Sequence, residues 1–185
     1  MTSSILQGVR SVEALDFSNR EHRALIFDLA LCNQQHLLND YDNDIVLIIN
    51  YYQREADAGF LRAFIALIDN QPAGCFWVEM DRYETGRIRG ALFPQYRNAW
   101  NGAFFMRFLV DYGFNILELR KLDAELALYS RKDRGSAAAE RLLKRIGFKK
   151  RAILPEALMI DGSPKDTILL DFLKRDYDVQ TQETK

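Results

Sequence analysis

The segment FPQYRNAWNG, Phe93 to Gly102, is the part of this chain whose residue types and spacing point most directly to chemistry. A proline leads into a short polar loop, and the loop closes on a glycine. A strongly apolar run follows, with Phe104, Phe105, Met106, Phe108 and Leu109. That is the outline of a loop that offers backbone N–H groups at a helix start, where unpaired donors and the positive end of the helix dipole favour a phosphate. Trp100 stands where such loops use a further glycine, which lets backbone approach a phosphate with no Cβ in between. If its Cβ points at the phosphate, binding is weakened. If it points outward, the donors survive. Considered without a ligand, Trp100 reads as a packing residue at the start of an apolar helix.

The elements that must hold this loop can be read from the rest of the chain. With 185 residues, 48% of them hydrophobic, the sequence suggests one domain with a full core. We expect it to span residues 1–178, with a disordered polar tail over 179–185. Lys+Arg count 25 and Asp+Glu 26, a net charge of −1, which gives no reason to expect nucleic acid or a membrane surface as partner. No apolar run approaches the roughly 20 residues that cross a bilayer. The N-terminus lacks a leader pattern, so a cytoplasmic location is expected. Cys32 and Cys75 lie in apolar contexts without metal spacing and read as buried reduced thiols. Two histidines, His22 and His36, are too few for a zinc site or a Ser-His-Asp triad, so no metal is expected.

Along the chain, Ile5 to Leu15 reads as a first strand. Ser18 followed by Glu21 forms a capping box for a helix from about Asn19 to Leu38. Asp42 or Asn43 caps a second helix, with Ile45, Ile48, Ile49 and Tyr52 on one face and a stop at Ala58-Gly59. Phe60–Ile68, Gly74–Met80 and Arg87–Phe93 are β-rich runs, the first two joined by DNQPAG. Then come a helix over Gly102–Phe114, a strand over Lys121–Leu128, and an amphipathic helix, SAAAERLLKRIGF, that Gly147 ends. A last hairpin, Arg151–Ile160 with Asp166–Leu173, turns at DGSP. The order β, α, α, β, β, β, α, β, α, β, β predicts an α+β three-layer sandwich. It has a mixed, mostly antiparallel sheet of about seven strands flanked by about four helices.

This order and its local text resemble the GNAT superfamily of N-acetyltransferases. PQYRNAWNG resembles the family's acetyl-CoA loop, commonly Pro-x-Tyr/Trp-Arg-Gly-x-Gly-x-Gly. FMRFLVDYGFNILELRKLDAELA and DTILLDFLKRDY resemble elements of the branch that acetylates ribosomal-protein N-termini, and AAERLLKRIGFKKRA resembles the helix that ends in Gly-Phe just before the last hairpin. The match runs from about Phe60 to Tyr177 and is thin over the first 58 residues. It implies acetyl-CoA as co-substrate, held by backbone N–H groups from Arg97 through Asn98, Ala99, Trp100 and Asn101 to Gly102. The Arg97 side chain would lie near the pyrophosphate, and the backbone of Leu92 and Phe93 would hold the pantetheine arm.

The family's pattern is broken in places. Trp100 replaces a glycine. Leu143 stands where the family commonly has the tyrosine that protonates the leaving thiolate, and Ser136 where it has an asparagine. Tyr129 or Ser130 is then the candidate hydroxyl. Attack by an amine needs a base, for which Glu79 is the first candidate, with Asp81 and Glu84 after it. Either Glu79 or Trp77 is expected to face the cleft. The basic run Arg131 to Arg134 is a solvated loop or a contact for the cofactor's 3′-phosphate.

The resemblance implies direct transfer of an acetyl group to a primary amine. The departures leave two other readings open. One is a catalytically silent protein with a structural or assembly role, for example in a bacteriophage particle, which an exposed apolar patch on the first two helices would favour. The other is a coenzyme A sensor. An acyl-acceptor amine or a protein is the expected partner, and a homo-oligomer is an open alternative.

Overall fold

The computed structural model describes residues 8–32, 45–128, 134–160 and 162–183. In chain order the elements are β1 (Arg10–Ala14), α1 (Arg20–Cys32), α2 (Ile45–Asp57), β2 (Leu61–Ile68), β3 (Gln71–Met80) and β4 (Thr85–Leu92). After a 3₁₀ turn (Pro94–Tyr96) come α3 (Ala99–Asn115), β5 (Lys121–Leu128), α4 (Arg134–Ile146), β6 (Lys149–Ile160), β7 (Ser163–Leu173) and α5 (Lys174–Glu183). The strands form one sheet in the order β1-β2-β3-β4-β5-β7-β6. Every pair is antiparallel except β4 with β5. This is the α+β sandwich expected from the sequence.

Local chemistry explains most boundaries, with some departures. The first helix is capped by Asn19, whose Oδ1 accepts from Glu21 N at 2.8 Å, while Ser18 Oγ donates to Asp16 instead. The β2–β3 hairpin turns on Asp69 and Asn70 alone, at φ 51° and 60°. Two left-handed residues match the twist of the flanking strands, so Pro72 is left inside β3 beside a bulge. The helix expected from Gly102 begins at Ala99. Asp42, Asn43, Tyr129 and Ser130 lie outside the described residues.

Each face of the sheet has its own core. Phe76, Val78, Ile88, Leu92, Leu122, Ala124, Ile168, Leu170 and Phe172 pack under α3 and α4 with Phe105, Leu109, Phe114, Leu143 and Ile146. On the other face Leu61, Ala63, Cys75 and Trp77 meet Leu29 and Ala30 of α1 and Ile48, Ile49 and Tyr52 of α2. Burial pushes the Cys75 thiol up to about 12, so it is neutral and unreactive. Cys32, read from the sequence as buried, is exposed at the end of α1.

The residues after Asp178, expected to be disordered, continue α5 as far as Glu183. Tyr177 anchors that helix. It is 9% exposed, its hydroxyl donates to Asp111 Oδ1 at 2.8 Å, and it accepts from Asn115 Nδ2 at 2.8 Å. Burial, then the Asp111 carboxylate, holds the phenol above its ordinary value of 10.0. Its neutral form is therefore favoured by folding. The associated stability is present below pH 10.0 and is lost as pH rises through the higher folded value. Tyr177→Phe is expected to lower unfolding free energy by about 1–2 kcal/mol. It should also flatten the decline in stability above pH 10.0, measured by urea unfolding at several pH values.

Candidate active site

β4 and β5 run side by side for three residue pairs only, Thr85 with Lys121, Gly86 with Leu122 and Arg87 with Asp123. Both strands continue, β4 to Leu92 and β5 to Leu128, but no further pairs join them. The sheet therefore opens into a split beyond Arg87. On its other side β4 stays paired with β3 as far as Gly74 with Leu92. Asp81 N donates to Thr85 O, and Phe93 N to Ala73 O, both at 2.9 Å. These bonds fix the alternation: Arg87, Arg89, Ala91 and Phe93 bond to β3, while the backbone groups of Gly90 and Leu92 point into the split. Gly90 cannot be replaced by a larger residue here, because a Cβ would run into the Phe76 ring. Phe93, expected beside Leu92 as a ligand of the pantetheine arm, thus has its amide committed to β3. Leu92 does not.

The loop at the mouth of the split is more ordered than its sequence suggests. Asn98 is the N-cap of α3, and its Oδ1 accepts from Asn101 N at 2.9 Å. Gly102 N donates to Asn98 O at 3.1 Å, and Arg97 N to Pro94 O at 3.3 Å. Of the amides expected to donate to phosphate, those of Arg97, Asn101 and Gly102 are therefore committed within the chain. The amides of Asn98, Ala99 and Trp100 have no partner among the described residues and lie at the positive end of a 17-residue helix. Gly102 serves packing, since a Cβ there would meet Leu142 of α4 at 3.0 Å.

The side chains divide the work in a way the sequence did not announce. Trp100 is 71% exposed and points outward, so it neither packs under the helix nor shields its own amide. Asn101 is 5% exposed. Its Nδ2 donates to Tyr96 O at 2.8 Å and its Oδ1 accepts from Arg10 Nε at 2.8 Å. Arg97, expected near the phosphates, donates from Nε to Leu92 O at 3.1 Å and from an Nη to Cys32 O at 3.5 Å. It braces the split against the carbonyl end of α1. Arg10 carried no signal in the sequence, because a lone arginine on a first strand resembles any solvated residue.

On the α1/α2 side the split is lined by charge. Glu79 and Trp77 are two residues apart on β3 and share a face, so the choice between them does not arise. Trp77 Nε1 donates to Glu79 Oε1 at 3.0 Å, and Arg89 Nε stands 3.6 Å from the same oxygen. Glu79 is opposite Arg87, where the split begins. Arg87 reaches across it to Glu125 on β5 at 3.0 Å. Asp81 and Glu84 sit in the β3–β4 turn at the closed end. Asp81 is spent there on the amides of Tyr83 and Thr85 and on the Thr85 hydroxyl. Leu143 is buried and has no proton to give, and Ser136 Oγ donates to Ala127 O at 2.6 Å. Tyr129 and the run Arg131 to Asp133 lie outside the described residues. Among those residues, no group of three or more His, Cys, Asp or Glu could hold a metal ion, and no helix is long and apolar enough to cross a membrane.

No protein-family model and no curated protein sequence matches the chain. Solved structures do. Spermidine N-acetyltransferase from Vibrio cholerae in complex with CoA and spermine superposes with a TM-score of 0.76 at 17% identity, covering 91% of this chain and 97% of that one. A point mutant of the same enzyme gives 0.76 at 17% identity, with coverage of 93% and 98%. A chimera of it with hSSAT gives 0.72 at 18%, with coverage of 91% and 97%. At such identities the likeness is one of fold, and the fold is that of the GNAT acetyltransferases.

The geometry makes opposite predictions for two neighbouring residues. Asn98→Ala removes a helix cap and should lower stability by about 1 kcal/mol. Trp100→Ala, at an exposed site, should stay within about 0.5 kcal/mol of wild type. Chemical unfolding of both variants checks the pair.

Proposed function

We propose that this chain binds acetyl-CoA in the β4–β5 split and transfers the acetyl group directly to a primary amine. The observation that carries this reading is the parting of β4 from β5 beside three unpartnered amides at the start of α3. An elongated thioester with phosphates at one end fits such a cleft. Backbone groups of Gly90 and Leu92 would meet its amide-bearing arm, and the amides of Asn98, Ala99 and Trp100 would meet its phosphates. That the similar solved fold carries CoA adds support.

In the reaction the amine nitrogen attacks the thioester carbonyl carbon, a C–N bond forms, and the C–S bond breaks. The nitrogen must shed a proton. Glu79 is the base assigned here, because it stands where the split begins and its Oε2 is left over when Oε1 is held by Trp77 and Arg89. Tyr129, which directly follows β5, is assigned as the donor to the departing thiolate. Cys75 is neutral and buried, and among the described residues no serine–histidine hydrogen bond is present, which favours direct transfer over an acyl-enzyme. The acceptor is a primary amine; polyamines and protein N-termini are the two classes to compare first.

A second reading has one observation in its favour. Phe27, Leu31, Val46 and Leu47 are 41–59% exposed on α1 and α2, which suits a protein partner on that face.

Calorimetric titration with acetyl-CoA should give micromolar binding, weakened at least about tenfold in Arg97→Glu, which places an acid beside the arm and phosphates. Thiol release in the presence of spermidine or short peptides should then fall by about 10²–10⁴ in Glu79→Gln, with acetyl-CoA affinity retained. Absence of binding at millimolar acetyl-CoA would sink this reading and leave the protein-partner one.

A further inference from the structure

The functional reading calls for donors as well as charge at the phosphate end of the split, and the residue expected to supply both keeps its charge but directs donors elsewhere. The Arg97 guanidinium is turned to the carbonyls of Leu92 and Cys32. We propose that Arg10 on β1 is the positioning residue for the coenzyme A phosphates: it holds the turn that presents the free amides and charges that helix start. This inference rests on the functional reading above.

Three observations meet in it. The first is a relay. Arg10 Nε donates to Asn101 Oδ1 at 2.8 Å, Asn101 Nδ2 donates to Tyr96 O at 2.8 Å, and Asn98 Oδ1 accepts from Asn101 N at 2.9 Å. Asn101 thus ties together both sides of the turn that carries Asn98, Ala99 and Trp100, and Arg10 fixes the rotamer of Asn101. With Asn101 at 5% exposure, water cannot replace these bonds, and losing Arg10 would leave a buried carbonyl oxygen without a donor.

The second observation is charge. Among the described residues Arg10 makes no ion pair with any carboxylate, and its one other hydrogen bond there is a weak one of 3.5 Å to Gly8 O. A guanidinium has five N–H donors, so most of its donor capacity is unspent. Asn101 belongs to the first turn of α3, whose radius puts this charge within roughly 10 Å of the open amides. There it adds to the positive end of the helix dipole.

The third is topology. Arg10 lies three strands from β4 in the sheet, on the face where Val12 packs against the α3 core. It comes from a part of the chain where the family resemblance is thin, so no motif within the loop announces it.

The test measures CoA affinity by calorimetry at low and moderate salt, and thermal unfolding, for wild type, Arg10→Gln and Arg10→Lys. Arg10→Gln can keep one bond to Asn101 but loses the charge. It should bind CoA about tenfold more weakly, with a shallower salt dependence, because screening acts on the charge and not on the neutral bond. Arg10→Lys should regain the salt dependence and part of the affinity. Wild-type binding with Kd unchanged within about twofold in Arg10→Gln would overturn the inference and leave the functional reading intact. So would weaker binding with an unaltered salt dependence and a matching loss of thermal stability, which marks a purely structural role. No CoA binding by wild type would overturn the functional reading and the inference with it.

Discussion

The candidate cleft exists because β4 and β5 cannot stay together. They are fastened at one end, where Arg120 N donates to Glu84 O at 2.9 Å and the three pairs from Thr85–Lys121 to Arg87–Asp123 follow. Beyond Arg87 each strand obeys its outer neighbour. β4 follows β3 without a bulge as far as Leu92, and β5 follows β7 from Lys121 to Leu128. Two twisting ribbons, each held on its far side, diverge unless something bridges them. What bridges them here is a side-chain contact, the Arg87–Glu125 ion pair, rather than a ladder. The cleft is thus a consequence of pairing elsewhere in the sheet, and its floor is polar backbone that a ligand can satisfy.

The two faces of the sheet are finished differently, and this gives the cleft its sides. Under α3 and α4 the core is apolar from β3 to β7. On the other face α1 and α2 cover only the part centred on Trp77, Cys75 and Ala63. From Glu79 onward that face carries matched charges: Glu79 with Arg89, Glu125 with Arg87, Asp123 with Lys121 and Asp171 with Arg151. Such half-exposed pairs add little to stability. They do keep the face polar beside the split, which suits the approach of an amine in the reaction proposed above.

At the mouth of the split, order is set by hydrogen bonds that no single motif specifies. The loop lacks the glycines that would let a ligand shape it, and it is shaped in advance instead. A cap at Asn98, a buried Asn101 and two arginines from different directions hold it, Arg97 against α1 and Arg10 from β1. Trp100, the residue that most disturbs the expected pattern, is accommodated simply by pointing outward. The amide at its own position stays open because the indole lies out in solvent and the helix start leaves that N–H without an intrahelical partner.

By itself the sequence determined whatever is encoded locally. Strand β5 is found at Lys121–Leu128, as its alternation predicts, and α4 ends at Gly147, whose φ of 132° suits glycine. The proline, polar loop and apolar run from Phe93 mark the end of β4 and the approach to α3, although the helix takes in three loop residues more than expected. Periodicity, turn residues and caps act over a few positions, so a sequence displays them. The tertiary structure decided the rest, because it depends on residues far apart in the chain. Which amides remain free was settled by caps and by Pro94, the orientation of Arg97 by the end of α1, and the brace on Asn101 by a β1 residue 91 positions away. The tail that reads as polar and disordered is helical as far as Glu183 because Tyr177 finds Asp111 and Asn115 on α3, a pairing no local pattern carries.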